Sequence, residues 1–239
     1  MNGFQGSRHI VAVFGAMQGT GVLIGPGLVL TCAHLGLDAV PRGALPDGPG
    51  KWIACHVVWQ DTDLDAALLW CGQGRRLHET AGARSGAVAT ERPLPYCEII
   101  GFPDVQRYDG DRLDLDQFTG TVLPVAGRFR QTLTFESDRP PARERRDGTS
   151  PLAGLSGAPV YVGAPVVGLV RDVPKGRGHR RVECVPVAAL AANEGFRTWC
   201  ADYSALSLQL LARPESSREE RRDLRTLSGV AVTVNGRPL

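Results

Sequence analysis

Hydrophobic residues along most of the chain come in short runs that alternate with polar residues or stop at turn formers, which is the pattern of β-strands. Glycine and proline bound several of these runs, as in the turn Gly25-Pro26-Gly27. Six such runs precede residue 103, at positions 9–14, 20–25, 27–32, 52–59, 65–71 and 97–102. Short strands at this spacing predict a β-sandwich or β-barrel.

A turn-rich, charged segment at 103–117 separates these runs from a second group of strands. The second group contains apolar runs at 118–125, 131–137, 158–162, 165–170 and 181–187. The gap between the groups predicts an all-β chain with two halves, an N-terminal half at 1–103 and a second half at 104–190.

Helical composition appears only after Pro186. The segment 187–212 predicts helix with a break near Gly195. We therefore predict that residues 191–239 form a C-terminal helical extension followed by a linker or tail. Within it, the densely charged stretch 213–225 has two interpretations, a solvated helix end or a connector to another module.

The composition narrows the classes of partner and the expected location. The chain has 239 residues and a formal net charge of +2, so nothing in its charge calls for nucleic acid or an acidic partner. No apolar run approaches the ~18 residues of a membrane helix. The first residues lack the basic-then-apolar layout of a secretion signal, so we expect a cytoplasmic protein.

The six cysteines contain no CxxC pair, which leaves zinc and redox motifs without support. Most of them lie in apolar runs, where a reduced cysteine acts as a small hydrophobic residue. Three disulfides are the alternative if the protein is exported.

The stretch GLSGAPV, residues 154–160, places Ser156 between two glycines. A serine hydroxyl becomes a nucleophile only beside a base, and attack on a carbonyl creates an oxyanion that needs N–H donors. Gly154 allows the backbone to turn so that its own N–H and that of Ser156 point to one spot. The simpler interpretation is a tight glycine-rich turn with no chemistry.

His34 and Asp65 are the candidates for the partners of such a serine. His34 follows the apolar run that ends at Cys32, so a rigid strand would hold it at a cleft. A half-buried histidine with a local partner is the structural alternative. Asp65 precedes the apolar run 66–70, where a carboxylate can accept a hydrogen bond from a histidine; Asp63 replaces it if the register is shifted by two.

Three segments together resemble the signature motifs of trypsin-like serine peptidases. TGVLIGPGLVLTCAHL is similar to their histidine motif, DAALL to their aspartate strand and GLSGAPV to their nucleophile loop. The order is also theirs, with Asp65 31 residues after His34 and Ser156 a further 91 residues on. The resemblance implies two antiparallel six-stranded β-barrels of the chymotrypsin type, with the catalytic residues His34, Asp65 and Ser156 in the cleft between them.

The resemblance is closest to the bacterial, intracellular, HtrA-like branch, because Leu155 stands where secreted members keep an aspartate. It implies that the N–H groups of Gly154 and Ser156 form the oxyanion hole. It also implies five substrate-binding positions, which are Ser150 at the base of the specificity pocket, Leu155, Val170, Arg171 and Asp172. A neutral residue at 150 favours an apolar or aromatic side chain before the cleaved bond.

These features predict a serine endopeptidase that acts on proteins or peptides and needs no metal or organic cofactor. The resemblance also implies a sensor or NTPase partner, or a fused module, reached through 213–225. The alternative is a peptidase-fold module that binds or regulates and is latent or inactive. An α/β-hydrolase is disfavoured because its elbow needs glycine where Ala158 stands, and a P-loop because GAMQGTGV has no lysine.

Overall fold

The computed structural model describes eleven segments of the chain. They are residues 6–38, 41–44, 52–72, 82–104, 107–108, 112–139, 150–174, 179–202, 208–212, 231–234 and 237–238. The charged stretch 213–225 therefore lies outside the described residues, and its two interpretations stay predictions.

The N-terminal half is one antiparallel sheet of seven strands, in the order β5-β4-β1-β2-β3-β7-β6. Its strands are β1 (Ile10–Phe14), β2 (Gln18–Gly25), β3 (Leu28–Thr31), β4 (Arg42–Ala44), β5 (Ile53–Ala54), β6 (His56–Asp61) and β7 (Ala66–Trp70). Successive side chains face opposite sides of the sheet, so Val11 and Val29 join one apolar cluster while Ile10 and Leu30 join another. Both faces of the sheet are therefore buried.

The second half contains a closed barrel of six strands within a larger sheet of ten. The barrel runs β9-β12-β13-β16-β15-β14 and closes because β14 pairs with both β9 and β15. These strands are β9 (Leu94–Gly101), β12 (Asp116–Leu123), β13 (Leu133–Ser137), β14 (Pro159–Val162), β15 (Val166–Asp172) and β16 (Arg181–Pro186). The all-β prediction is confirmed, and closure leaves this barrel without open edges.

Six shorter strands complete the β-structure. They are β8 (Ser85–Val88), β10 (Arg107–Tyr108), β11 (Arg112–Leu113), β17 (Leu208–Ala212), β18 (Ala231–Val234) and β19 (Arg237–Pro238). β10 and β11 form a separate two-stranded ribbon within the segment predicted as turns. β8 pairs in parallel with β15 and β17, and so joins the C-terminal strands to the barrel.

The structure differs from the sequence prediction at β4, β8, β9 and β17, among other elements. β4 and β8 were missed, because their three and four residues are too few to show an alternating pattern. β9 was assigned to the first half, which was predicted to end at residue 103, but it pairs with β12 and β14 of the second. The residues Leu208–Ala212 form strand β17 instead of helix, because pairing with β8 overrides their helical composition.

Two helices follow the last barrel strand, α1 (Val187–Ala192) and α2 (Glu194–Asp202). The predicted break lies between them, at Asn193, whose side chain accepts a hydrogen bond from the N–H of Phe196. Neither helix has the length and apolar character that crossing a membrane requires, and this holds for all helices among the described residues.

One apolar cluster joins the two halves. Leu30 and Leu68 of the first sheet share it with Phe102 and Leu169 of the second half and with Phe196 of α2, each at most 3% exposed. Because burial of such side chains contributes about 1.5–3 kcal/mol each, this shared core fixes the halves against each other.

The cysteines are mostly reduced, as expected, with one pair as the exception. Cys55 and Cys71 form a disulfide, whereas Cys32, Cys97, Cys184 and Cys200 are free and buried. The alternative with three disulfides is not seen. The disulfide spans the hairpin of β6 and β7, one residue before the first strand and one after the second.

Removal of this disulfide in a Cys55→Ala/Cys71→Ala variant is expected to lower the free energy of unfolding by about 2–4 kcal/mol, because the bond closes a loop in the unfolded chain. Urea denaturation of both proteins, with and without reductant, measures the difference. Reductant should lower the wild-type midpoint and leave the variant unchanged. A wild-type midpoint that is the same with and without reductant would contradict the presence of the disulfide.

Candidate active site

His34 lies in a single 3-10 turn, Ala33–Leu35, directly after β3. Gly36 ends this turn with φ 67°, a conformation that residues with a Cβ rarely adopt. A Cβ on Gly36 would also lie 2.6 Å from that of Ala16. The turn therefore leaves the strand sharply and presents the imidazole to solvent, with 38% of the side chain exposed.

Asp65 lies at the tip of the β6–β7 hairpin and is almost buried, with 10% of its side chain exposed. Its φ of 54° is in the left-handed region, which aspartate tolerates better than most residues. One carboxylate oxygen accepts the backbone N–H of His34 at 2.9 Å, and the other lies 2.7 Å from the His34 Nδ1. Asp63, the alternative, is exposed in the turn.

The hydroxyl of Ser156 lies 3.0 Å from the His34 Nε2. Since Nδ1–H donates to Asp65, Nε2 is the ring nitrogen left to accept a proton from the serine. The three predicted catalytic residues therefore form one continuous chain of hydrogen bonds. Two of them come from the first half and Ser156 comes from the second.

Ser156 belongs to a tight turn, residues 153–157, which we call the nucleophile turn. Gly154 and Gly157 have φ values of 91° and 84°, so both positions need glycine. The N–H of Gly157 donates to the carbonyl of Val170 at 2.8 Å, which ties the turn to β15. The positive φ values thus explain why glycines stand on either side of the serine.

The two predicted oxyanion-hole donors, the N–H groups of Gly154 and Ser156, have no acceptor among the described residues. The carbonyl of Ala153 accepts the N–H of Asp104 at 2.6 Å. In a trans peptide the next N–H points the opposite way, so the N–H of Gly154 is directed away from Asp104. Unused donors of this kind can stabilise a developing negative charge.

Three of the predicted substrate-binding residues lie at the end of β15. Val170 is buried, and its carbonyl also accepts the thiol of Cys32 at 3.1 Å. Arg171 places its Nε 3.7 Å from the Asp65 carboxylate, a contact that the sequence did not predict. Asp172 is exposed, and its carboxylate accepts the N–H of Val173.

The other two predicted substrate-binding residues differ in burial: Ser150 is half-buried and Leu155 is buried. The Ser150 hydroxyl lies 3.3 Å from the His179 Nδ1 and accepts the N–H of Leu152. Leu155 is 1% exposed and packs in the barrel core, so its side chain faces away from solvent. Leu155, Leu152 and His179 line a small cavity.

Sequence reasoning missed Thr20, which is fully buried and contacts the nucleophile turn. Its N–H donates to the carbonyl of Ser156 at 2.8 Å, and its hydroxyl donates to that of Gly154 at 2.8 Å. The signal available in the sequence was a polar residue between two glycines in an otherwise apolar run.

Cys32, His34 and Asp65 are the described residues that could together hold a metal ion, with potential ligand atoms within 4.8 Å of one another. Their donor atoms are already engaged. Burial, and secondly the charge of Asp65, raise the pKa of the Cys32 thiol well above its usual value, so the thiol stays protonated and donates to Val170. A metal would have to break this bond and the His34–Asp65 bond, so the geometry fits a proton relay better.

Comparison with known proteins supports the fold of the chain and does not extend to its activity. No family model matches the chain, and no curated protein matches it significantly. The inactive form of the Rv3671c protease matches at a TM-score of 0.55 and 16% identity, covering 84% of this chain and 91% of that chain. The active form, from M. tuberculosis, matches at 0.57 and 15% identity, covering 84% and 82%. The chain therefore shares the fold of this protease.

A methyl group at Gly157 is expected to be much more harmful than one at Gly163, although both glycines have positive φ. A Cβ at 157 would overlap the carbonyl oxygen of Thr20 and the hydroxyl of Thr31, whereas one at 163 meets nothing within 4 Å. Gly163→Ala should cost about 1 kcal/mol from its backbone alone. Gly157→Ala should cost about 2 kcal/mol more, because it also overpacks the site. Chemical denaturation compares them, and equal losses would contradict the close approach.

Proposed function

We propose that this chain is a serine endopeptidase of the trypsin-like type. The observation that carries the proposal is the chain of two hydrogen bonds, 2.7 Å from Asp65 to His34 and 3.0 Å from His34 to Ser156. A carboxylate, an imidazole and a hydroxyl in this order form the arrangement that activates a serine for acyl transfer. The unused N–H groups of Gly154 and Ser156 supply the donors that the oxyanion needs.

The proposed reaction has two halves. His34 Nε2 takes the hydroxyl proton as the Ser156 oxygen attacks the scissile carbonyl, and Asp65 stabilises the imidazolium that forms. The oxyanion binds the N–H groups of Gly154 and Ser156. The imidazolium then protonates the leaving amine, and a water molecule repeats the sequence to hydrolyse the acyl-enzyme.

A binding or regulatory module with the same fold is the second candidate. Such a module would not need a carboxylate, imidazole and hydroxyl within hydrogen-bond distance, so the geometry favours the enzyme. A sensor or NTPase partner, or a fused module, remains a proposal from the sequence, because the charged stretch 213–225 lies outside the described residues.

The location of the protein remains a proposal on which two observations disagree. A cytoplasmic location stays the proposal from the sequence, and four of the six cysteines are free. The disulfide between Cys55 and Cys71 favours an oxidising compartment, because cytosolic thiols are kept reduced. Acid quenching of cells, followed by alkylation of the denatured protein and mass spectrometry, decides between six modified cysteines and four.

The proposed substrate preference rests on Ser150. Its hydroxyl carries no charge, and its contacts are the N–H of Leu152 and the ring of His179, so among the described residues these contacts offer no anion for an arginine or lysine side chain. We therefore propose cleavage after apolar or aromatic residues. This proposal assigns residue 150 to the base of the specificity pocket by family resemblance.

Wild-type protein is expected to react covalently with a fluorophosphonate probe, because an activated serine oxygen attacks the phosphorus, displaces fluoride and forms a phosphonate ester. Ser156→Ala should abolish labelling, and His34→Ala should lower its rate by about 10³-fold or more, since the base is lost. Gel fluorescence and intact mass measure the adduct. The control is His56→Ala, which removes an exposed histidine from β6.

Each result of this experiment has a definite meaning. Labelling that persists in Ser156→Ala would place the reaction on another residue and overturn the assignment. Folded wild-type protein that does not react, at any pH between 6 and 9, would favour the binding module over the enzyme.

A peptide library is expected to show cleavage after leucine, phenylalanine and similar residues. Ser150→Asp should shift the preference toward arginine and lysine, because it introduces a negative charge at the proposed pocket base. Mass spectrometry of the cleaved peptides measures both patterns. Ser150→Ala is the matched control and should keep the apolar preference. Wild-type cleavage after arginine would contradict the assignment of Ser150.

A further inference from the structure

Thr20 is a fully buried polar residue in β2, and the bonds that it makes reach across to the other half of the molecule. Its hydroxyl donates to the carbonyl of Gly154 at 2.8 Å and accepts the N–H of Phe102 at 3.0 Å. Its N–H donates to the carbonyl of Ser156, and its own carbonyl accepts the Thr31 hydroxyl. The backbone and hydroxyl groups of Thr20 are thus all engaged in hydrogen bonds.

These bonds fix the peptide planes on both sides of Gly154. The plane before it is held because the carbonyl of Ala153 accepts the N–H of Asp104. The plane after it is held because the carbonyl of Gly154 accepts the Thr20 hydroxyl. Glycine has the greatest backbone freedom of any residue, so without these two bonds the N–H of Gly154 could rotate away.

The segment that carries Asp104 depends on β2 as well. Phe102, two residues earlier, donates its N–H to the Thr20 hydroxyl and accepts the side-chain amide of Gln18 at 3.0 Å. A Cβ on Gly101 would lie 2.9 Å from the Thr20 oxygen, so the two segments approach closely at this point. The Thr20 hydroxyl therefore supports both bonds that fix the backbone around Gly154. It makes the bond to the Gly154 carbonyl itself, and it holds the segment 102–104 whose Asp104 makes the other.

We propose that the Thr20 hydroxyl is a positioning group for the oxyanion hole. It holds the two peptide planes that flank Gly154 in the orientation that leaves the N–H of Gly154 free. This inference rests on the proposed peptidase function. The hydroxyl does not touch the substrate, and its effect reaches the reaction through Gly154. Its loss slows acyl transfer and leaves the contact between His34 and Asp65 in place.

The test compares the rate constant for fluorophosphonate labelling in Thr20→Val and Thr20→Ser. Valine keeps the shape of threonine but neither donates nor accepts, whereas serine keeps the hydroxyl. Thr20→Val is expected to lower the rate about 10- to 100-fold, because a misplaced oxyanion donor costs up to about 10²–10³-fold. Thr20→Ser is expected to stay within about threefold of wild type.

The control is Thr134→Val, another buried threonine, whose hydroxyl bonds to the carbonyl of Ala126 instead of the nucleophile turn. Thr134→Val should lose about as much thermal stability as Thr20→Val and should keep the wild-type labelling rate. The pH dependence of labelling is a second readout. It should keep its midpoint in Thr20→Val, because the His34–Asp65 pair is untouched.

The possible results separate this inference from the proposed function. A folded Thr20→Val protein that labels at the wild-type rate would overturn the inference alone, as would a folded Thr20→Ser protein that is equally slow. Wild-type protein that never labels would remove the proposed function and the inference with it. If Thr20→Val does not fold, Thr20→Ala, which also lacks the hydroxyl, takes its place under the same criteria.

Discussion

The site depends on one geometric constraint: a single imidazole must touch a carboxylate and a hydroxyl that belong to different halves of the molecule. Asp65 and His34 move together, because the carboxylate holds both the ring and the backbone of His34. Ser156 belongs to the second half, and its carbonyl is bound to the N–H of Thr20. The 3.0 Å distance between imidazole and hydroxyl is therefore set by how the halves meet.

The C-terminal helices contribute to this constraint by packing against β6 of the first sheet. Phe196 of α2 packs its ring against that of Trp59 on β6, with centroids 5.2 Å apart. Asn193 donates to one oxygen of Asp61, while the other oxygen accepts the N–H groups of Asp63 and Leu64. The helices thus support the hairpin tip on which Asp65 is placed, which gives this extension a structural role.

Sequence patterns predicted the strands and the three central site residues because these are local properties. An apolar run ending at Cys32 and a serine between glycines can each be recognised without knowledge of the fold. The partners of a strand cannot be recognised in this way, because β9 has the same sequence pattern whichever sheet it joins. Only its long-range pairing with β12 and β14 assigns it to the second half. The disulfide and the role of Thr20 were missed for the same reason, because both depend on residues that meet only in the folded chain.

Arg171 lies close enough to Asp65 to interact through its charge, but too far away to orient the carboxylate by a hydrogen bond. Its Nε is 3.7 Å from the same Asp65 oxygen that lies 2.7 Å from the His34 ring. The longer distance is outside hydrogen-bond range, so the orientation of the carboxylate is set by His34 and not by Arg171. Arg171 acts on the pair through its charge, and solvent weakens that action because 37% of the side chain is exposed. A cation can therefore sit beside the carboxylate without pulling it away from the imidazole, and the chain of hydrogen bonds to Ser156 stays intact.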